Sequence, residues 1–400
     1  MKSLLLSLRD GLGSMKLTVA LLAFSIALVF IATLDQVNLG IWAVQEKYFR
    51  SFVVYSRVGD FLIPVFPGGY VVGGLLLANL IASYGIRFGL SLRRLGPAMV
   101  HFGLILLLIG ELVSGLFQKD SHMRIDEGQT KNYAESFRSN ELVFIDITDP
   151  NVDRVVAIPE ALLAKKQGVQ HPKLPFRVQT REYFANSDLH RHGPSHGPAL
   201  ATAGFGTSLD AVPAPLTHRE DERNLPSAFV ELTAGGQSLG TYLVSLHLMM
   251  PQEFTHEGRT WRLALRTARI YYPFSLTLLE FTHDKYPGTN IPKNFSSKLH
   301  LKTPDGRDDR DVLVYMNNPL RYGGYTFYQS GFDNNDTTSI LQVVRNPSWL
   351  IPYVATVLMS IGLMVQFGLH LFRFATRRRQ PAPATRIPQP VPELAEAAGR

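Results

Sequence analysis

The sequence predicts an integral membrane protein with four transmembrane helices and one large extracytoplasmic β-rich domain, an antiparallel sandwich or an open barrel. Three observations lead to this fold class. The 400 residues are 46% hydrophobic, and the apolar residues concentrate toward the two ends of the chain. Clusters of Lys and Arg flank the apolar runs, and the region between them alternates short apolar stretches with turn residues.

Four apolar runs are long enough to cross a bilayer, namely residues 17–34, 69–86, 95–117 and 350–372. Residues 1–16 are then a cytoplasmic N-terminal segment. Residues 373–400 are a cytoplasmic tail, and its Pro- and Ala-rich part after Arg379 is expected to be disordered.

Basic residues orient these spans. They cluster before the first span, between the second and third, and after the fourth, at Lys2, Arg9, Lys16, Arg87, Arg93, Arg94, Arg373, Arg377, Arg378 and Arg379. All three clusters fall on one side, which the positive-inside rule assigns to the cytoplasm of an inner membrane. Region 118–349 is therefore expected outside the cytoplasm. The net charge of +7 reflects these anchors and does not indicate a nucleic-acid partner.

Region 118–349 is large enough to form its own hydrophobic core. Its alternating apolar, β-branched and aromatic stretches predict β-structure. Candidate strands are Leu142–Ile147, Phe176–Tyr183, Phe229–Leu232, Thr241–Leu246, Trp261–Ile270, Ser275–Phe281, Lys298–Leu301, Val312–Met316, Tyr325–Gln329 and Ile340–Val344. Turn signals between them include Gly235-Gly236, Glu257-Gly258 and Gly323-Gly324.

A loop-like insertion, residues 186–226, interrupts the strand pattern. It is rich in Gly, Pro and Ala and carries four histidines, His190, His192, His196 and His218. The first three are spaced so that a loop could bring them to one metal ion. Flexible insertions also collect such residues by composition, and both interpretations remain open.

The chain has no cysteine. It therefore contains no CxxCH haem-attachment site, no thiol pair for disulfide exchange and no thiolate metal carrier. The sequence also lacks the GxGxxG, P-loop, HExxH and GxSxG motifs. No soluble enzyme chemistry is predicted for this chain alone.

His101 lies inside the third span, about six residues or ~9 Å from its cytoplasmic end. An ionisable ring in hydrocarbon is costly, so it indicates either a metal or haem ligand or a neutral ring bonded to a neighbouring helix. Gly96, Gly103 and Gly110, with Ser114, form a small-residue stripe on the opposite side of the helix. That stripe predicts close packing with another helix of this chain and turns His101 toward a different surface.

Two parts of the chain resemble a known family. They are the run His101-Phe-Gly-Leu-Ile-Leu-Leu-Leu-Ile-Gly110 with Gly115-Leu-Phe117 and Asp126-Glu-Gly128, and the outer-domain motifs Tyr286-Pro-Gly-Thr289, Phe295-Ser-Ser297, Met316-Asn-Asn-Pro-Leu320 and Tyr322-Gly-Gly-Tyr-Thr-Phe-Tyr-Gln-Ser-Gly-Phe332. They resemble the ResB (CcsB) family of cytochrome c biogenesis proteins. The order of three spans, a large outer domain and a closing span is also similar.

The resemblance implies a membrane subunit of the System II cytochrome c synthase, which helps to deliver haem b across the membrane for attachment to apocytochrome c. It implies a ResC/CcsA-type partner with a tryptophan-rich haem-handling segment, which this chain, with only Trp42, Trp261 and Trp349, does not contain. By the same resemblance, His101 is an axial ligand to the haem iron. Glu111 stands where the family's helices usually carry small or apolar residues.

Several alternatives remain open from the residues themselves. Arg93 and Arg94 either meet haem propionates or serve only as topology anchors. The aromatic residues between Met316 and Phe332 either pack in a β core or hold a partner. The protein either binds haem within the synthase or acts as a structural chaperone that stabilises the partner. A quinone-linked b-type cytochrome would need two histidines at compatible depths, and only His101 and His370 lie in spans.

Overall fold

A computed structural model describes residues 10–59, 61–87, 94–193, 199–217, 223–289, 292–333 and 337–378. Its helices are α1 (Met15–Val44), α2 (Gly69–Arg87), α3 (Leu95–Phe117), α4 (Glu160–Ala164) and α5 (Ile351–Arg378). A π-helical turn, Gln45–Phe49, follows α1 directly. The sequence segments 1–9, 88–93 and 379–400 lie outside the described residues, and with them Arg93 and the part of the predicted tail after Arg378. Residues 373–378 of that tail continue α5.

Three helices of the described chain are long and apolar enough to cross a membrane, Met15–Phe49, Leu95–Phe117 and Ile351–Thr376. They confirm a membrane protein. The second predicted span forms α2, but its apolar part, Gly69–Tyr84, is shorter than the other three. The prediction of four spans is therefore confirmed for three helices only.

Region 118–349 folds into antiparallel strands, as predicted, and two further strands lie between α1 and α2, where none was predicted. The strands are β1 (Val53–Val58), β2 (Phe61–Pro67), β3 (Lys119–Asp126), β4 (Thr130–Asp146), β5 (Arg154–Pro159), β6 (Arg177–Phe184), β7 (Ser187–Arg191), β8 (Leu209–Pro213), β9 (Ser227–Ala234), β10 (Gln237–Ser245), β11 (Gln252–His256), β12 (Arg259–Lys285), β13 (Pro292–Lys302), β14 (Asp309–Tyr315), β15 (Leu320–Tyr322), β16 (Tyr325–Asp333) and β17 (Thr338–Arg345).

The largest sheet has ten strands and curls into a nearly closed barrel. Its main order is β14-β13-β12-β4-β3-β17-β16-β15, with β11 added to β12 and β5 added to β4. The edge strand β14 also contacts β15 and β16. The barrel interior holds Tyr272, Phe274, Leu299, Phe327 and Leu341, all buried.

A second core lies where β4 and β12 continue beyond the barrel. There the three-stranded sheet β10-β9-β6 covers them, and Phe144, Phe176, Val230, Trp261 and Leu263 pack together between the strands. The domain therefore combines the two predicted alternatives, sandwich and open barrel. One end of β4 and β12 belongs to the barrel, and the other end belongs to the layered core.

The predicted hairpin turns adopt the backbone that their residues favour. Gly235 and Gly236 have φ of 57° and 80°, and Gly323 and Gly324 have φ of 59° and 79°. Two consecutive positive φ angles are the mark of a type I′ turn, which suits the twist of a two-residue hairpin. These turns set the registers of β9 with β10 and of β15 with β16.

The insertion 186–226 differs from the loop that its composition predicts. It contains the antiparallel pair β7 and β8 and a short 3₁₀ turn, Gly204–Thr207. Leu189 and Leu209 pack with Ala201 against the buried Phe229 and Leu243. The high Gly and Pro content suggested a loop, although the insertion contributes apolar side chains to a small cluster. This cluster packs the insertion against the sheet β10-β9-β6.

Candidate functional site: His101 on helix α3

His101 lies half-buried on α3, in the second turn of the helix. Its Nδ1 donates a hydrogen bond to the carbonyl oxygen of Pro97, at 2.7 Å. Only this direction is possible because a carbonyl has no proton to give. In the neutral ring the proton is therefore on Nδ1, and Nε2 carries the lone pair.

Pro97 suits this position for a simple reason. It is the third residue of α3, where a backbone N–H has no partner within the helix, so proline costs nothing there. Its carbonyl lies one turn before His101 and within reach of the ring. The sequence signal was a proline in the first turn, four residues before the histidine, and sequence reasoning missed it.

The opposite side of α3 packs against α5, as the glycine stripe predicted. Gly96, Gly103 and Gly110 are all buried. A Cβ added to Gly96 would lie 2.7 Å from the carbonyl oxygen of Gly362, and one added to Gly103 would lie 3.0 Å from that of Ala355. No larger side chain fits without movement of the helices. The stripe thus fixes the rotation of α3 and, with it, the direction of His101.

Ser114 continues the stripe with polar contacts. Its hydroxyl lies 2.6 Å from the Ser348 hydroxyl and accepts a hydrogen bond from the Asn346 amide at 3.0 Å. These bonds link the end of α3 to the segment that precedes α5.

Apolar side chains share the face of His101. Leu104, Ile105 and Leu108 follow it at helical spacing, and none of them is buried. Arg94 immediately precedes α3, is exposed, and lies seven residues before His101. Two turns of helix return it to the same face, about 10 Å along the axis. A basic group and an imidazole therefore border one apolar strip.

The other intramembrane histidine is placed differently. His370 is exposed on α5, and its Nε2 accepts a hydrogen bond from the Gln366 amide at 2.8 Å. The nitrogen that would bind a metal is thus engaged by its own helix. Glu111, also exposed, lies ten residues or ~15 Å beyond His101 along α3.

The histidines of the insertion do not form a metal site in the described residues, which contain no group of three or more side chains suited to hold a metal ion. His192 Nδ1 instead pairs with Asp210 Oδ1 at 2.9 Å, and His190 is exposed on β7. His196 and His218 lie outside the described residues.

The aromatic residues between Met316 and Phe332 differ in their environments: some lie in the barrel core and some at its surface. Phe327 is fully buried. The ring centroid of Tyr325 lies 4.7 Å from that of Tyr272 in the barrel core. Tyr328 points outward with 38% of its surface exposed. The core interpretation therefore holds for the first two residues and not for Tyr328.

The chain is similar to a known protein family and to one known protein. The model of the ResB-like family matches residues 91–149 and 252–340. These ranges hold α3 with β3 and β4, and then β11 through β16 with the first three residues of β17. Protein NrfI of Wolinella succinogenes is 33% identical over 293 residues, which are 73% of this chain and 29% of NrfI. This chain spans less than a third of that relative's length. The family-model match covers the residues that carry the resemblance. The chain belongs to the ResB-like family.

Proposed function

We propose that this chain is a membrane subunit of a System II cytochrome c synthase and that His101 gives haem one of its axial ligands. Membership of the ResB-like family implicates the chain in cytochrome c biogenesis. The observation that carries the haem assignment is the hydrogen bond from His101 Nδ1 to Pro97, because it leaves the lone pair on the ligating nitrogen.

A metal-bound histidine usually donates a hydrogen bond from its other ring nitrogen to a carbonyl or carboxylate oxygen, because this bond orients the ring and raises its basicity. The apolar strip of Leu104, Ile105 and Leu108 suits the porphyrin plane. The Arg94 guanidinium at the end of this strip suits a propionate, with Arg93 beside it in the sequence. Haem b is in this account a substrate in transit, which the complex passes to apocytochrome c.

The remaining groups come from other chains. A protein without cysteine cannot form the thioether bonds of a c-type haem within itself, so the acceptor thiols belong to the CxxCH motif of apocytochrome c. A ResC/CcsA-type protein supplies the tryptophan-rich haem-handling segment and the opposite ligand. In this topology the β-rich domain faces outward from the inner membrane, and the basic clusters face the cytoplasm.

Complementation in a strain that lacks the native gene tests the proposal. We expect His101→Ala to abolish haem-stained c-type cytochromes while the protein level and the co-purified partner remain normal. His370→Ala, the matched control on α5, should mature cytochromes at near-normal levels. Full maturation by His101→Ala would favour a structural chaperone that never contacts haem.

A further inference from the structure

A cavity of about 620 Å³ lies beside the first residues of β5 in the outer domain. Arg154 and Val155 of β5 line it, and so does the segment 172–175, whose sequence is Pro-Lys-Leu-Pro. The buried ring of Trp261 contributes to the same surface. Ligand sites usually have volumes of about 300 to 1,000 Å³, so this cavity is large enough to hold part of a bound molecule.

The strand β5 has an open edge at this cavity. It pairs with β4 alone, over Arg154–Pro159. No other backbone hydrogen bond joins residues 154–158 to the part of the chain that the structure describes. An antiparallel strand directs alternate backbone groups to each of its sides, so the side away from β4 presents unpaired N–H and C=O groups. The nearby segment 172–175 does not close this edge as a strand, because Pro172 and Pro175 have no N–H to donate.

The two carboxylates that line the cavity already have partners. Asp146 Oδ1 accepts a hydrogen bond from the Thr148 N–H at 3.1 Å, and Asp146 Oδ2 lies 3.4 Å from Arg259 Nη1. Glu257 Oε1 lies 3.6 Å from His256 Nε2, and the Glu257 side chain is 65% exposed to solvent. Neither carboxylate therefore requires a cationic ligand.

Two basic side chains of the cavity remain for a ligand. Arg154 on β5 and Lys173 in the segment 172–175 are exposed, and neither forms a salt bridge within the described residues. Guanidinium and ammonium groups bind carboxylates through charge-assisted hydrogen bonds. Val155 and the two prolines of the segment 172–175 add apolar surface beside these charges. The lining therefore suits acidic residues with apolar neighbours.

We infer that the open edge of β5 binds an extended, acidic segment of a partner polypeptide. The segment adds to β5 as a further strand and places carboxylates at Arg154 and Lys173. In this mode of recognition, main-chain hydrogen bonds give affinity and side-chain contacts give specificity. A small carboxylic acid would use the two cations but would leave the edge of β5 unpaired. The inference concerns the outer domain alone and does not depend on the haem assignment for His101.

Peptide binding to the full-length protein in detergent, followed by fluorescence anisotropy, tests the inference. The probe is a dye-labelled Val-Glu-Val-Glu-Val peptide with blocked ends. We expect it to bind at least about tenfold more tightly than the same peptide with lysine in place of glutamate. Methylation of its backbone nitrogens keeps the charge and removes the N–H donors, so it should weaken binding at least about tenfold. Equal binding of the methylated peptide would overturn the inference, because charge alone would then account for binding.

Substitutions in the protein locate the site. The double variant Arg154→Ala, Lys173→Ala should raise the Kd of the acidic peptide at least about tenfold. Lys165→Ala, which removes an exposed lysine outside the cavity, should leave that Kd unchanged. An unchanged Kd in the double variant would overturn the inference, and so would competition by free glutarate as effective as that by unlabelled peptide. The comparison between peptides uses the native protein, so it decides the question even if the double variant fails to fold.

Discussion

His122 is a half-buried imidazole in the outer domain, and its protonation in the folded state is unfavourable. It lies on β3, its ring centroid 4.9 Å from that of Phe137, and its Nδ1 has no hydrogen-bond partner among the described residues. Burial lowers the pKa of this ring from its usual value. The folded protein therefore resists a proton that the unfolded chain accepts below a pH of about 6.5.

This lowered pKa predicts a pH-dependent stability. Below about pH 6.5 the unfolded state binds more protons at His122 than the folded state does. The free energy of unfolding is therefore highest, as far as His122 is concerned, above about pH 6.5, and it decreases as the pH falls through the folded pKa. We expect the loss of Tm between about pH 7 and 5 to be smaller in His122→Gln than in the native protein. His190→Gln, at an exposed position, should follow the native curve. Parallel curves for native protein and His122→Gln would contradict the assignment.

Phe327 and Tyr328 are neighbours on β16 with opposite environments, which makes them a matched pair. Phe327→Ala should cost about 3 to 5 kcal/mol because it empties the barrel core. Tyr328→Ala should leave protein level and Tm nearly unchanged, since its ring is largely outside. Thermal unfolding of the two purified variants checks this, and equal losses would mean that the strand is wrongly oriented.

At the scale of one element, α3 offers a test of its packing against α5. Gly103→Ala places a methyl group against Ala355 and Met359, and overpacking of this kind costs about 1 to 3 kcal/mol. Gly115 on the same helix has open space around it, so Gly115→Ala should be neutral or slightly stabilising. Melting of both variants in detergent, with partner recovery as a second readout, measures the difference. A tolerated Gly103→Ala would show that α3 and α5 do not approach closely.

Sequence patterns predicted those elements whose determinants are local. The seven-residue spacing of Gly96, Gly103 and Gly110 specifies one face of a helix, and paired glycines specify type I′ turns. His101 was singled out from its position alone. Its bond to Pro97 was not predicted, because it depends on a side-chain torsion and not on a repeat in the sequence.

Other elements depend on tertiary contacts that a single sequence does not display. β12 runs without interruption for 27 residues, although the Tyr-Tyr-Pro-Phe segment between its two predicted halves reads as a break. Its pairing with β4 shifts register between Tyr271 and Leu276, which accommodates that segment. The hairpin β1-β2 was also missed, because its apolar contacts are tertiary: Val54 packs with Leu28 and Ala32 of α1, which lie more than twenty residues earlier in the sequence.

At the scale of the whole outer domain, two cores share the strands β4 and β12. A strand cannot be ordered in one core and unfolded in the next without exposing apolar side chains, so we expect a single cooperative transition. Leu263→Ala in the layered core and Leu299→Ala in the barrel, each removing a fully buried side chain, should lower the same Tm. Each should cost about 2 to 5 kcal/mol.

Two probes distinguish a shared transition from separate ones. In a background with Trp42→Phe and Trp349→Phe, tryptophan fluorescence follows the layered core through Trp261, and the far-ultraviolet β signal follows both cores. We expect the two melting curves to coincide in the native protein and in both variants. A biphasic curve, with only one phase moved by each substitution, would show that the cores fold independently.

We propose above all that haem binds through the Nε2 of His101. Haem content of the purified complex, measured per complex before and after addition of imidazole, tests it most directly. We predict that His101→Ala removes the haem from an otherwise assembled complex and that imidazole, by filling the vacant ligand position, restores part of it. A His101→Ala complex that retains its full haem content without imidazole would contradict the account.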